Sequence, residues 1–201
     1  MKKLTLLLFI AISSFAFSQG MKIISGNFDF LKDQAEVNTE VKSDHVLFYV
    51  ENMSEEQYLE KRKKEVLGNP KKTQQDWDKW INEWNSHKAN IYAEKVITGF
   101  NEKSKKIKLN KGIASKYTLI VDTKWIYPGW HGGMLIQPAK LTTDLKFIET
   151  ENPSHVVLHL EASGVQGNGS SAELYMEYGR IAASFKKTGK DLGKKVKEAL
   201  K

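Results

Sequence analysis

The residues best suited to chemistry lie together in one heptapeptide, Tyr127-Pro-Gly-Trp-His-Gly-Gly133. Two aromatic rings beside an imidazole suit stacking on a sugar, a base or a protein side chain, and an imidazole also offers weak metal binding. Catalysis asks for more. A histidine base needs a water or nucleophile and an orienting acid within hydrogen-bond reach. The acids available to His131 are carboxylates on strands, Asp122 or Asp144. The plainer reading is a turn whose Trp130 folds over a sheet edge and whose His131 is solvated, since most loop residues carry no function. Tyr127, Trp130 and His131 are therefore candidate ligand-binding residues, and no catalytic residue or metal ligand is assigned.

Other patterns are weaker. His155 and His159 share a strand face but lack a third ligand for a metal. Ser163–Ser171 (SGVQGNGSS) is glycine-rich and precedes a helix. It has no Walker lysine, its glycines miss the dinucleotide spacing, and Ser170 with Glu173 reads as a capping box. The absence of cysteine excludes disulfides, thiolate metal sites and cysteine nucleophiles. No cofactor is implied. Trp77, Trp80 and Trp84 share one helix face, where aromatics usually pack into a core. Glu102–Lys111 holds five lysines and no arginine. Such a run reads base edges poorly, so no nucleic-acid partner is expected. It suits a solvated helix end, or attachment to an anionic lipid or glycan.

These residues must be held by a fold, and the patterns that build it are clear. Residues 1–18 form a leader: Lys2 and Lys3, an apolar Leu4–Ile12 run, and Ala16-Phe17-Ser18 as a small-x-small cleavage site. The run is too short to cross a bilayer, and no later segment is long and apolar enough to do so. The expected product is exported, periplasmic or secreted. The formal net charge of +7 falls to +5 when Lys2 and Lys3 leave. Residues 19–201 are read as a single α+β domain.

Tyr117–Tyr127 is the central strand, with Tyr117, Leu119, Val121, Trp125 and Tyr127 on one face. Leu141–Thr150 and His155–Ala162 alternate in the same way and complete a meander. Val37–Val41 and His45–Val50 are further strand candidates. Ser54 and Gln57 form a capping box before a short helix over 54–66. A long amphipathic helix is expected over 73–103 and another from 172 to the end, the latter weakened at Gly189 and Gly193. The predicted architecture is a mostly antiparallel four- to five-stranded sheet packed by two long amphipathic helices.

Asn27–Leu31, Tyr117–Gly129 and Tyr178–Ala182, taken with the leader, resemble a group of functionally uncharacterised secreted proteins of Gram-negative bacteria related to flavobacteria. In element order alone the chain is similar to small periplasmic α/β domains such as the amino-terminal domain of the TolB translocation protein. That similarity implies a non-catalytic domain that binds partners in envelope assemblies. The leading expectation is thus a secreted or periplasmic binding protein whose partner is an envelope or extracellular protein or glycan. The alternative is a hydrolase acting on an extracellular polymer through His131 and a strand carboxylate.

Overall fold

A computed structural model describes residues 20–133 and 135–201; the predicted leader lies outside the described residues. In chain order the elements are β1 (Gly20–Gly26), β2 (Glu36–Lys42), β3 (Leu47–Phe48), β4 (Met53–Ser54), α1 (Glu55–Leu67), α2 (Gln74–Ser86), α3 (Tyr92–Lys103), β5 (Lys108–Asn110), β6 (Tyr117–Tyr127), β7 (Trp130–Gly132), β8 (Leu135–Gln137), β9 (Lys140–Glu149), β10 (Asn152–Gln166), α4 (Ser171–Tyr175) and α5 (Glu177–Ala199). The fold is α+β, as expected, but its sheet is mixed. Among the described residues eight strands join it rather than four or five, in the order β1-β10-β9-β6-β2-β5, with β3 attached to β6 and β4 to β3. The meander β6-β9-β10 is antiparallel and extends to β1. In contrast, β2 runs parallel to both β5 and β6, and β3 runs parallel to β6 and antiparallel to β4. The helices α1 to α3 lie between β2 and β5, and a helical crossover brings the chain back to the same end of the sheet.

The helical cover also differs from a pair of long helices. The run expected over 73–103 is α2 and α3, joined through a π-helical turn at His87–Ile91. The capping box before α1 is formed: Ser54 N–H donates to Gln57 Oε1 (2.9 Å) and Gln57 N–H to Ser54 Oγ (3.3 Å). One core unites the layers. Leu119, Val121, Leu145, Phe147, Leu158 and Leu160 from the sheet meet Val96 and Phe100 of α3 and Ile181, Phe185, Leu192 and Val196 of α5.

The central strand follows its predicted alternation only as far as Thr123. A bulge there opposes Trp125 to Thr142 and shifts the phase by one residue. Ile126 consequently enters the core at 3% exposure, and Trp125 and Tyr127 leave it for partly buried positions.

Helix α5 runs unbroken through Gly189 and Gly193. These glycines, with Gly99, are where the backbones of α3 and α5 meet. A Cβ on Gly99 would stand 2.1 Å from the Lys186 carbonyl oxygen, one on Gly189 2.1 Å from that of Val96, and one on Gly193 2.6 Å from that of Phe100. The helical cost of glycine is about 1 kcal/mol, whereas forcing atoms into packed backbone costs about 1–3 kcal/mol or more. The clash therefore outweighs the gain in propensity. Gly189→Ala should lower the urea midpoint at unchanged slope, a net loss of about 2 kcal/mol; a raised midpoint would refute the close contact.

Beside this seam, Glu102 accepts from Lys186 (2.8 Å) and Lys190 (2.9 Å). Those two hydrogen bonds hold its carboxyl at about 2, below the ordinary 4.5. A depressed carboxyl stabilises the fold fully above its ordinary value and loses that contribution as the pH falls toward about 2. Glu102→Gln should flatten stability over that window and leave the neutral-pH value within ~1 kcal/mol, because the site is open to solvent. Titrating the urea midpoint against pH for both proteins checks this.

Candidate functional site

The chain leaves β6 at Tyr127, passes Pro128 and turns at Gly129, whose φ of +67° favours glycine. Within the heptapeptide predicted as a turn, Trp130–Gly132 form one strand of a small second sheet. Trp130 opposes Gln137, His131 opposes Ile136 and Gly132 opposes Leu135 across β7 and β8. A two-stranded hairpin is marginal by itself, and this one is fastened at its root by Arg180.

Arg180 lies in the first turn of α5 and is only 3% exposed. Its Nε donates to the Pro128 carbonyl (2.9 Å) and its Nη2 to that of Gly129 (3.3 Å). Its Nη1 donates to the carbonyls of Leu174 (3.0 Å) and Tyr175 (2.9 Å). One guanidinium thus ties the hairpin to the short α4 and the α4–α5 junction. Glu177 balances the charge. It is 8% exposed, and its Oε1 accepts from Tyr58 OH (3.0 Å) and Arg62 Nε (2.6 Å), while Oε2 lies 3.9 Å from Arg180 Nη2. Burial lowers the Arg180 pKa, with Glu177 acting against it, and a guanidinium keeps its proton regardless. Burial first, then the Glu177 charge, pushes the Tyr58 hydroxyl well above its usual range.

Above this network lies a cleft of about 630 Å³. Arg62, Glu65, Lys72, Asp76, Lys79 and Trp80 form the helical side, Trp130, His131, Tyr175 and Tyr178 the other, and Glu177 and Arg180 line it as well. Its volume falls within the usual range for small-molecule sites. Trp130 is 45% exposed, and its Nε1 donates to Gln137 Oε1 (2.7 Å), which fixes the ring over its own hairpin. Its ring packs near Gly132, where a Cβ would stand 3.3 Å from it. His131 packs against Tyr175 at a tilt of 54°, with ring centres 4.5 Å apart. Tyr175 is itself 59% exposed.

Of the three predicted residues, the structure brings Trp130 and His131 into one cleft. Tyr127 is not among its lining residues and instead meets the Tyr49 ring edge-on at 5.9 Å. The helical tryptophans form a core column. Trp77, Trp80 and Trp84 stack at 5.3 Å, and Tyr58 continues the column onto Phe48 at 4.3 Å. Trp80 alone of the three also reaches the cleft, beneath the Arg62 guanidinium at 5.7 Å.

The strand carboxylates are elsewhere. Asp122 and Asp144 oppose each other on the sheet face away from the helices, where Lys124 pairs with both. Lys146 lies 4.0 Å from Asp144, and the His159 ring comes within 3.1 Å of it without aligned hydrogen-bond geometry. The histidines that meet carboxylates, among the described residues, are His87, His155 and His159. His131 is not brought to Asp122 or Asp144. No group of three or more potential metal ligands is gathered among the described residues.

Sequence reasoning missed Tyr175, Arg180 and Glu177. A signal existed for the last two: Glu177 and Arg180, three residues apart, lie on the same helix face as Ile181 and Phe185, and ionic groups on a buried stripe need partners. Arg180→Met should cost about 3 kcal/mol, since it strands four carbonyls and removes one cation from Glu177. Amides of β7 and β8 should then exchange hydrogen faster at once, while β6 and β9 change only in step with global stability. Equal acceleration in all four strands would show that Arg180 does not fasten the hairpin locally. In comparisons with models of protein families, with curated proteins and with solved structures, the chain matches none.

Proposed function

We propose that this protein is an exported, non-catalytic binding module, periplasmic or secreted, that holds an envelope or extracellular protein or glycan at the cleft beside the β7–β8 hairpin. The observation that carries the reading is the state of Trp130. A tryptophan left 45% exposed, yet locked by its own indole hydrogen bond, offers a fixed apolar plane to a partner. His131 and Tyr175 add ring surface to the same cleft, and Tyr127 packs edge-on against Tyr49 at the end of the strand that leads to it.

Holding rather than turnover is supported by His131, which lies against Tyr175 and is not brought to Asp122 or Asp144, and by the buried ionic groups beneath the cleft. The Glu177 carboxylate, the Tyr58 hydroxyl and the Arg180 guanidinium are engaged with one another or with backbone carbonyls. A general acid or base must instead be free to exchange a proton with a substrate. The leader, and the resemblance to secreted proteins of Gram-negative bacteria, support an address beyond the cytoplasmic membrane. Among the described residues no helix is long and apolar enough to cross a membrane.

The test is affinity capture from an envelope fraction, comparing wild type with Trp130→Ala/His131→Ala. Both side chains are at the cleft rim, so the double variant should keep its thermal midpoint and lose at least tenfold in affinity for the captured partner, as hot-spot aromatics do. Undiminished capture by a folded double variant would remove this cleft from the binding function.

A further inference from the structure

Helices α3 and α5 pack in parallel, Val96 beside Gly189 and Phe100 beside Gly193, so both end at one pole of the molecule. The lysines that follow α3 are therefore not an isolated run. Lys106 Nζ donates to the Leu200 carbonyl (2.7 Å), and Lys105 and Lys106 stand across a shallow notch from Lys197 and Lys201. The notch measures about 200 Å³ and is lined also by Val196 and Leu200. Among the described residues none of these four lysines has a carboxylate within ion-pair distance, and Glu102 at the end of α3 is taken by Lys186 and Lys190.

Helix ends account for only part of this charge. Each C-terminus carries roughly half a negative charge, so the two together call for about one cation. Lys106, on the Leu200 carbonyl, already answers the end of α5. The remaining ammonium groups, Lys105, Lys197 and Lys201, have no ion-pair partner among the described residues and border an apolar depression.

We propose that this pole seats the protein on an anionic phospholipid surface, with the lysines on the lipid phosphates and the notch against the carbon edge of a lipid. Lysine is a flexible point charge with an apolar stem, which suits a diffuse anionic surface bordering hydrocarbon. The four lysines are accompanied by neither an arginine fork for bidentate phosphate recognition nor an aromatic ring to stack on a sugar or base. The inference is independent of the cleft. The cleft is built at the first turn of α5 and the pole at its last, roughly 30 Å apart at 1.5 Å per residue. A molecule seated by the pole would present its cleft away from the bilayer.

The experiment is vesicle co-sedimentation of residues 19–201, which contain the whole described core and omit the apolar leader that would itself enter a bilayer. Vesicles of phosphatidylcholine alone are compared with vesicles that also contain phosphatidylglycerol, at low and high salt. Binding should require phosphatidylglycerol and weaken with salt. Neutralising Lys105, Lys106, Lys197 and Lys201 to glutamine should weaken it by about fivefold per lysine. A control with the same net charge, changing Lys61, Lys63, Lys64 and Lys71 to glutamine, should stay close to wild type. Equal losses in the two variants would reduce the effect to overall charge and overturn the assignment. So would no binding to either vesicle, or binding to soluble heparin that phosphatidylglycerol vesicles fail to displace.

Discussion

A guanidinium that is 3% exposed must find acceptors inside the protein, and much of the molecule around Arg180 is arranged to supply them. Neutralisation is not available to arginine, so the charge has to be met rather than lost. Four backbone carbonyls converge on it from two segments that are far apart in the chain, 128–129 and 174–175. That convergence fixes where the β7–β8 hairpin leaves the main sheet and where the chain bends from α4 into α5. Glu177 then has to lie close by, and Glu177 in turn draws Arg62 and Tyr58 of α1 toward α5. Through this one group, the hairpin, the junction and α1 share a common reference point. The cleft is the space left above it.

The second constraint is the seam between α3 and α5. Carbonyl oxygens of one helix lie where side chains of the other would begin, so the crossing tolerates only glycine at Gly99, Gly189 and Gly193. The close approach lets Phe185 stack on Tyr92 at 4.6 Å, and it brings Phe100, Val196 and Leu192 into the same core as the sheet. A helix with glycines in its interior looks weak by propensity alone. Its stability comes from what it packs against, which is how tertiary contact routinely overrides the local scale.

What could be read in the sequence was what depends on near neighbours. The capping boxes at Ser54 and Ser170 formed because their partners lie three residues away. The meander was legible because alternation in Leu141–Phe147 and in Leu158–Ala162 reports directly on a buried face. The tryptophans at 77, 80 and 84 announced a buried helical stripe and became one. Three features depend on distant partners and were not legible. The bulge after Thr123 is set by how β9 pairs, and it alone moves Ile126 inward in place of Trp125 and Tyr127. The parallel pairing of β2 with β6 is decided by where the crossover returns, which alternation does not encode. The candidate site was found at Trp130 and His131 because aromatics beside glycines stand out in any sequence. Its other half is more than forty residues later: Tyr175 looks like ordinary helix, and Glu177 and Arg180 stand out only as ionic groups on an apolar stripe, whose partners no local pattern names.

Helix α5 connects these two constraints and gives the molecule a direction. Its first turn carries Glu177 and Arg180 and so organises the cleft; its middle carries the glycine seam; its last turn carries Lys197 and ends at the lysine-lined pole. A 23-residue helix locked along a neighbour by backbone contact cannot bend much between its ends. Whatever binds at one end is therefore held at a fixed distance from whatever the other end rests on. On the readings proposed, that geometry suits a protein which must display a binding surface at a set height above a membrane. It gives the long helix a reason to run uninterrupted, one that propensity alone does not provide.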